Sequence, residues 1–209
     1  MDNLIKLHIY SSTVTEGNTA SNEDVERIIY DLPTDLTPKE IIEIKNTKDA
    51  LDHILEVYKD TDVNLDLIKT THQILMRGLI KEAEIFYASA TKRIIGSKLK
   101  LPSTNNEVEY LMRSLVNYCQ LNKDYIHPLI LGSIFHFLFI SIHPFKDGNG
   151  RVARLIHSHI LLQGGYPIFA FDPDRKYDYF NYLEKGREFD ISDFILFIVE
   201  EHKNVLLAQ

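Results

Sequence analysis

The sequence predicts a mainly α protein, a helical bundle with one short β element, on three observations. Apolar residues recur at helical spacing through most of the 209 residues. Several of these runs open on capping signals. A single segment, residues 83–103, breaks the rhythm with β-branched and aromatic residues around Gly96 and closes on Pro102.

Residues 11–18, SSTVTEGN, read on composition as a turn. Ser21-Asn22-Glu23-Asp24 predicts the start of a short helix through Val25, Ile28 and Ile29, closed by Pro33. Thr37-Pro38-Lys39-Glu40 is a capping box with proline at the first helical position. Ile41, Ile44, Ala50, Leu51, Ile54 and Leu55 then mark one face of a helix to about Lys59. Asn64 caps the next, carrying Leu67, Ile68, Thr71, Leu75 and Leu79. Residues 83–103 predict a β-hairpin or extended flap, and a helix follows from about Asn106 to Leu121. His127-Pro128 opens an apolar helix to Ile142, and a further helix runs from Arg151 to Gln163, stopped by Gly164-Gly165. Phe180–Leu183 and Asp193–Leu206 supply two more. No repeat, low-complexity tract or long linker divides the chain.

Composition narrows the function classes. The net charge of −7 argues against a general nucleic-acid binder, which needs a basic face. The single cysteine, Cys119, excludes an internal disulfide and fits a reducing, cytoplasmic compartment; its apolar helical setting reads as core. The most apolar window, Leu129 to Ile142, falls short of the roughly 20 residues of a membrane span, so no membrane partner is expected.

The chemistry concentrates in residues 143–154, HPFKDGNGRVAR. A glycine-rich turn entering a helix aims backbone N–H groups and the helix dipole at one point, which favours phosphate. Gly148 and Gly150 are read as the residues free to take positive φ, with Asn149 bracing the turn between them. Arg151 and Arg154, one turn apart, are read as reaching the same anion with planar forks. Asp147 suits a magnesium ion whose other positions go to water and phosphate oxygens. His143 titrates in the range suited to taking a proton from a hydroxyl. Base, metal ligand, cradle and arginines form a set for phosphoryl or nucleotidyl transfer. Among the other histidines, His136, His157 and His159 read as core or structural.

The stretch HPFKDGNGRVAR resembles the signature of the Fic-domain family, written HxFx(D/E)GNGRxxR, at every defined position. The resemblance extends over the preceding apolar helix, the flap around RIIGSKLKLPS and the stretch YDYFNYLEKG. It implies the Fic fold, an all-α core with a β-hairpin flap, and transfer of AMP from ATP to a Ser, Thr or Tyr hydroxyl of a target protein, itself included. It implies that His143 is the base, that Asp147 holds Mg2+ or Mn2+, and that Gly148, Asn149, Gly150, Arg151 and Arg154 hold the phosphates. Branches running other phosphotransfer carry lysine at the second glycine, so Gly150 favours adenylylation. Ile94, Ile95 and Gly96 become the target flap, although the family's Gly-x-(Phe/Tyr)-Arg entry to it is replaced here by AEIFYAS. Tyr179 and Asn181 are candidates for the adenine pocket, with aromatic packing the alternative for the tyrosine.

The family also has an inhibitory motif, (S/T)xxxE(G/N), which Ser12, Glu16 and Gly17 satisfy. The resemblance then divides the chain into residues 1–36, a segment with an inhibitory helix, and residues 37–209, the core. Glu16 would pair with Arg154 and spoil the pose of ATP. Family members also form dimers, which leaves a homo-oligomer open. Two readings remain beside adenylylation: AMP removal or use of another nucleotide donor, and a silent nucleotide-binding regulator.

Overall fold

A computed structural model describes residues 2–81, 99–188 and 190–207. These residues form nine α-helices: α1 (Asp2–Thr15), α2 (Asn22–Ile29), α3 (Pro38–Val57), α4 (Leu65–Met76), α5 (Asn105–Asn122), α6 (Pro128–Ile142), α7 (Asn149–Gln163), α8 (Lys176–Glu188) and α9 (Ser192–Leu207). A single 3-10 turn, Pro173–Arg175, precedes α8. Among the described residues there is no strand. Most of the segment expected to form a hairpin, with Ile94, Ile95 and Gly96, lies outside them.

The helix starts follow the capping chemistry. Ser21 and Asp24 cap α2 reciprocally, and Thr37 and Glu40 do the same for α3. Asn64 caps α4 through Leu67 N–H at 2.8 Å. Glu40 also accepts from the Thr19 N–H and hydroxyl, which ties the chain after α1 to the head of α3. These donors hold the Glu40 carboxyl down at about 2.

The α6–α7 pair is the centre of the bundle, with α3, α4, α5, α9 and α1 packed around it. Phe135 and Phe139 of α6 and Leu155, Ile156 and Leu161 of α7 are fully buried. Each such side chain contributes roughly 1.5–3 kcal/mol relative to exposure. Cys119 is core, as read, and burial pushes its thiol up to about 12. Among the described residues no helix is long and apolar enough to cross a membrane.

Two sequence expectations need correction here. The stretch 11–18 is not a turn over most of its length, because α1 runs to Thr15 and only Glu16 and Gly17 lie in the turn that ends it. The polar side chains are satisfied inside the helix: Thr13 and Thr15 hydroxyls donate to the Ile9 and Ser11 carbonyls at 2.8 and 2.6 Å. Burial supplies the rest, with Ile9, Ser11, Ser12 and Thr13 all at most 1% exposed. The second correction is at α7, which begins at Asn149 rather than Arg151, so Gly150 is helical.

Candidate functional site

The loop between α6 and α7 is held from several sides. His143 ends α6 in the left-handed region, φ 54° and ψ 58°, with its N–H donating to the Phe139 carbonyl at 2.9 Å. For a histidine that conformation costs energy and is kept only where surroundings impose it. Phe145 turns into the core and is fully buried. Asn149 clamps it by accepting from Phe145 N–H at 2.9 Å and donating to Phe145 C=O at 3.0 Å. The asparagine side chain therefore braces the loop and spends its polar atoms on backbone.

Of the two glycines, only Gly148 has positive φ, 78°, at the N-cap of α7, where no side chain caps the helix. Gly150 is glycine for a different reason. A Cβ built there would lie 2.1 Å from Glu16 Oε1. The carboxylate of α1's final turn rests directly on the first turn of α7, where the backbone N–H groups and dipole favour an anion.

Glu16 and Ser12 together grip Arg154. The Arg154 Nη2 donates to Glu16 Oε1 at 2.6 Å and to the Ser12 carbonyl at 3.0 Å, and Nε donates to Ser12 Oγ at 2.9 Å. The Arg154 side chain is 1% exposed and that of Glu16 31%. Gly17 follows in a left-handed turn, φ 98°.

Arg151 takes different protein partners from Arg154. It lies against α4, with Nη2 3.6 Å from Met76 Sδ and 3.8 Å from Asp147 Oδ1. The Asp147 side chain is 60% exposed, and its Oδ1 accepts from Gly148 N–H at 2.6 Å. No cluster of three metal-ligating side chains exists among the described residues. A single exposed carboxylate beside a phosphate-favouring turn fits magnesium held jointly with nucleotide oxygens, not a metal caged by protein alone.

A cavity of about 300 Å³ opens over this loop, lined by Glu16, Ile140, His143, Asn149, Gly150, Tyr179, Phe180, Leu183, Glu184 and Arg187. Tyr179 is on its wall but is chiefly core. Its hydroxyl pairs with His136 Nε2 at 2.8 Å, its ring stacks on Phe171, and burial pushes its ionisation up. Asn181 is exposed and does not line the cavity, because a helix turns neighbouring residues to different faces. Phe180, Leu183, Glu184 and the ion-paired Arg187 were not singled out from sequence. They recur at three- and four-residue spacing along α8, a stripe indistinguishable from a packing face until α6 is placed opposite it.

Residues 62–161 match the family described as the Fic/DOC family. A protein named protein adenylyltransferase Fic from Nematostella vectensis is 28% identical over 198 residues, covering 91% of this chain and 45% of its own length. The chain spans less than half the length of the curated relatives it matches first. Among solved structures, residues 134–508 of Fic-1 from C. elegans superpose with a TM-score of 0.89 at 20% identity, covering all of this chain and 63% of that one. A Fic family protein from Desulfovibrio desulfuricans G20 gives 0.81 at 27% identity, covering 99% and 65%. The Fic fold is therefore common to all three.

Proposed function

We infer the function from the premise that the chain carries a Fic/DOC domain at residues 62–161. It is a protein adenylyltransferase that moves AMP from ATP to a Ser, Thr or Tyr hydroxyl of a target protein or of itself, and it is held inactive by its own α1. The observation that carries the reading is the Glu16 carboxylate seated on Gly150 and paired with Arg154 at 2.6 Å, where a phosphate would bind.

The chemistry assigns each group one task. His143 faces the cavity and takes the proton as the acceptor oxygen forms its bond to the α-phosphorus. The bond from that phosphorus to the bridging oxygen breaks, and pyrophosphate leaves with the electron pair. Asn149 and Gly150 present backbone N–H groups to the phosphates while the Gly148 N–H stays on Asp147 Oδ1, and Arg154 neutralises the phosphates once Glu16 withdraws. Arg151, already beside Asp147, adds positive charge on the α4 side. Asp147 would hold Mg2+ or Mn2+, which supplies neutralisation of the phosphate charge when bound. Residues 1–36 act as the regulatory segment on a core of 37–209. Tyr179 contributes wall rather than recognition of the base.

Autoinhibition follows from competition for one arginine. With Glu16 in place the phosphates cannot take the Arg154 donors, so bound ATP loses the alignment that transfer needs. The reading is tested by labelling with [α-32P]ATP and Mg2+ or Mn2+. We expect weak labelling of the natural chain, strong labelling with Glu16→Gly, and a loss of about 10²–10⁴-fold when His143→Ala is added. Equal labelling with and without Glu16 overturns the autoinhibition. Nucleotide binding with no label in any variant favours a silent regulator, and release of AMP from modified protein favours the reverse reaction.

A further inference from the structure

The turn that carries Asp147 rests on α4, and the signature motif contains nothing that supplies this support. His72 of α4 is 1% exposed. Its ring lies flat on Phe145, centroids 3.6 Å apart and planes 4° apart. Its Nε2 is 2.8 Å from the Asp147 carbonyl oxygen. A carbonyl only accepts, so Nε2 carries the proton and donates. One helical turn later, Met76 Sδ meets Arg151, and it would lie 2.8 Å from a Cβ built on Gly148.

The Asp147–Gly148 peptide plane is held on both edges. His72 holds its carbonyl, and its N–H, belonging to Gly148, donates to Asp147 Oδ1 at 2.6 Å. The peptide is rigid, so a rotation that frees one edge moves the other. The exposed carboxylate is thus tied to that same peptide by the Gly148 N–H, with Arg151 farther off at 3.8 Å.

We propose that His72 is a positioning residue for the reaction: by fixing the Asp147–Gly148 peptide it sets where the metal-holding carboxylate points. The inference rests on the adenylyltransferase reading of Asp147 as the residue that holds the metal. His72→Phe keeps the stacked ring and loses the donor, whereas His72→Gln loses the ring and keeps a donor at the same reach. Both are made in a chain carrying Glu16→Gly and His143→Ala, so that bound ATP is not consumed. Calorimetry then titrates Mn·ATP, and in parallel ATP with a chelator.

The metal-dependent gain in affinity is expected to fall about tenfold in His72→Phe and to recover in His72→Gln, with affinity for metal-free ATP unchanged in both. An undiminished gain in His72→Phe, a glutamine variant no better than phenylalanine, or no metal-dependent gain in the parent chain overturns the proposal. If the gain behaves as expected but Glu16→Gly alone never transfers AMP, the functional reading falls and the positioning role stands. Should His72→Phe fail to melt cooperatively, ring 15N shifts of the natural chain decide the matter. A proton on Nδ1 instead of Nε2 overturns the proposal.

Discussion

At Gly150 the need for glycine arises from a contact and not from a left-handed backbone. The run HPFKDGNGRVAR made the loop legible because its groups are contiguous, and contiguity needs no knowledge of the fold. The expectation that both glycines supply positive φ held for Gly148 alone. At Gly150 the missing Cβ makes room for a carboxylate 134 positions earlier in the chain, which no local pattern records. This predicts a coupling measurable by urea denaturation. Gly150→Ala should destabilise the natural chain by about 1–3 kcal/mol through overpacking. It should cost far less beside Glu16→Gly, giving a coupling energy of about 1 kcal/mol or more; additive effects exclude the contact. The directions of Asn181 and Arg151 were illegible for a related reason, since side-chain direction along α7 and α8 depends on neighbours that spacing does not name.

At the level of elements, α1 was the hardest to read and α3 the easiest. The Thr37–Glu40 box announces α3 locally, whereas the β-branched and hydroxylated run in α1 is a weak helix former. Tertiary burial overrides that preference, and His8 adds a long-range tie within the chain through Nδ1 to the Phe169 carbonyl at 2.5 Å. Since α1 places both Ser12 and Glu16 on Arg154, loosening its docking should act as the Glu16 substitution does. Ile9 is fully buried, so Ile9→Ala should cost about 2–5 kcal/mol of local or global stability. Hydrogen exchange should show α1 amides losing protection before those of α7, accompanied by increased AMP transfer. Loss of protection in α1 without any rise in transfer separates the helix from the brake. The His72 support was also missed, because a lone histidine on an apolar helix face resembles any other core position until α4 is laid beneath the loop.

For the whole molecule, the buried histidines tie stability to pH. Burial is the main cause that lowers His8 to about 4 and His157 to about 3, and it holds His136 well below its ordinary value. These groups are neutral when folded and bind protons at an ordinary 6.5 when unfolded, so the unfolded state takes up more protons on acidification. Stability is therefore full above about pH 6.5 and declines as pH falls toward 4. His8 alone contributes a loss of roughly 1–2 kcal/mol between pH 6.5 and 5. The urea midpoint should drop over that interval, and His8→Gln should flatten the drop; a pH-independent midpoint contradicts the burial. The cavity was equally a property of the assembled chain, since its walls come from the turn after α1 and from α6, α7 and α8. The tether between Glu16 and its seat has one more consequence. An inhibitor on the same chain as its site cannot be diluted away, so the proposed active fraction is set by a unimolecular opening constant. A closed state favoured by about 3 kcal/mol leaves under roughly 1% of molecules open, whether the protein is abundant or scarce. Output would then scale linearly with copy number, and raising it further would require an event that acts on the docking of α1 itself.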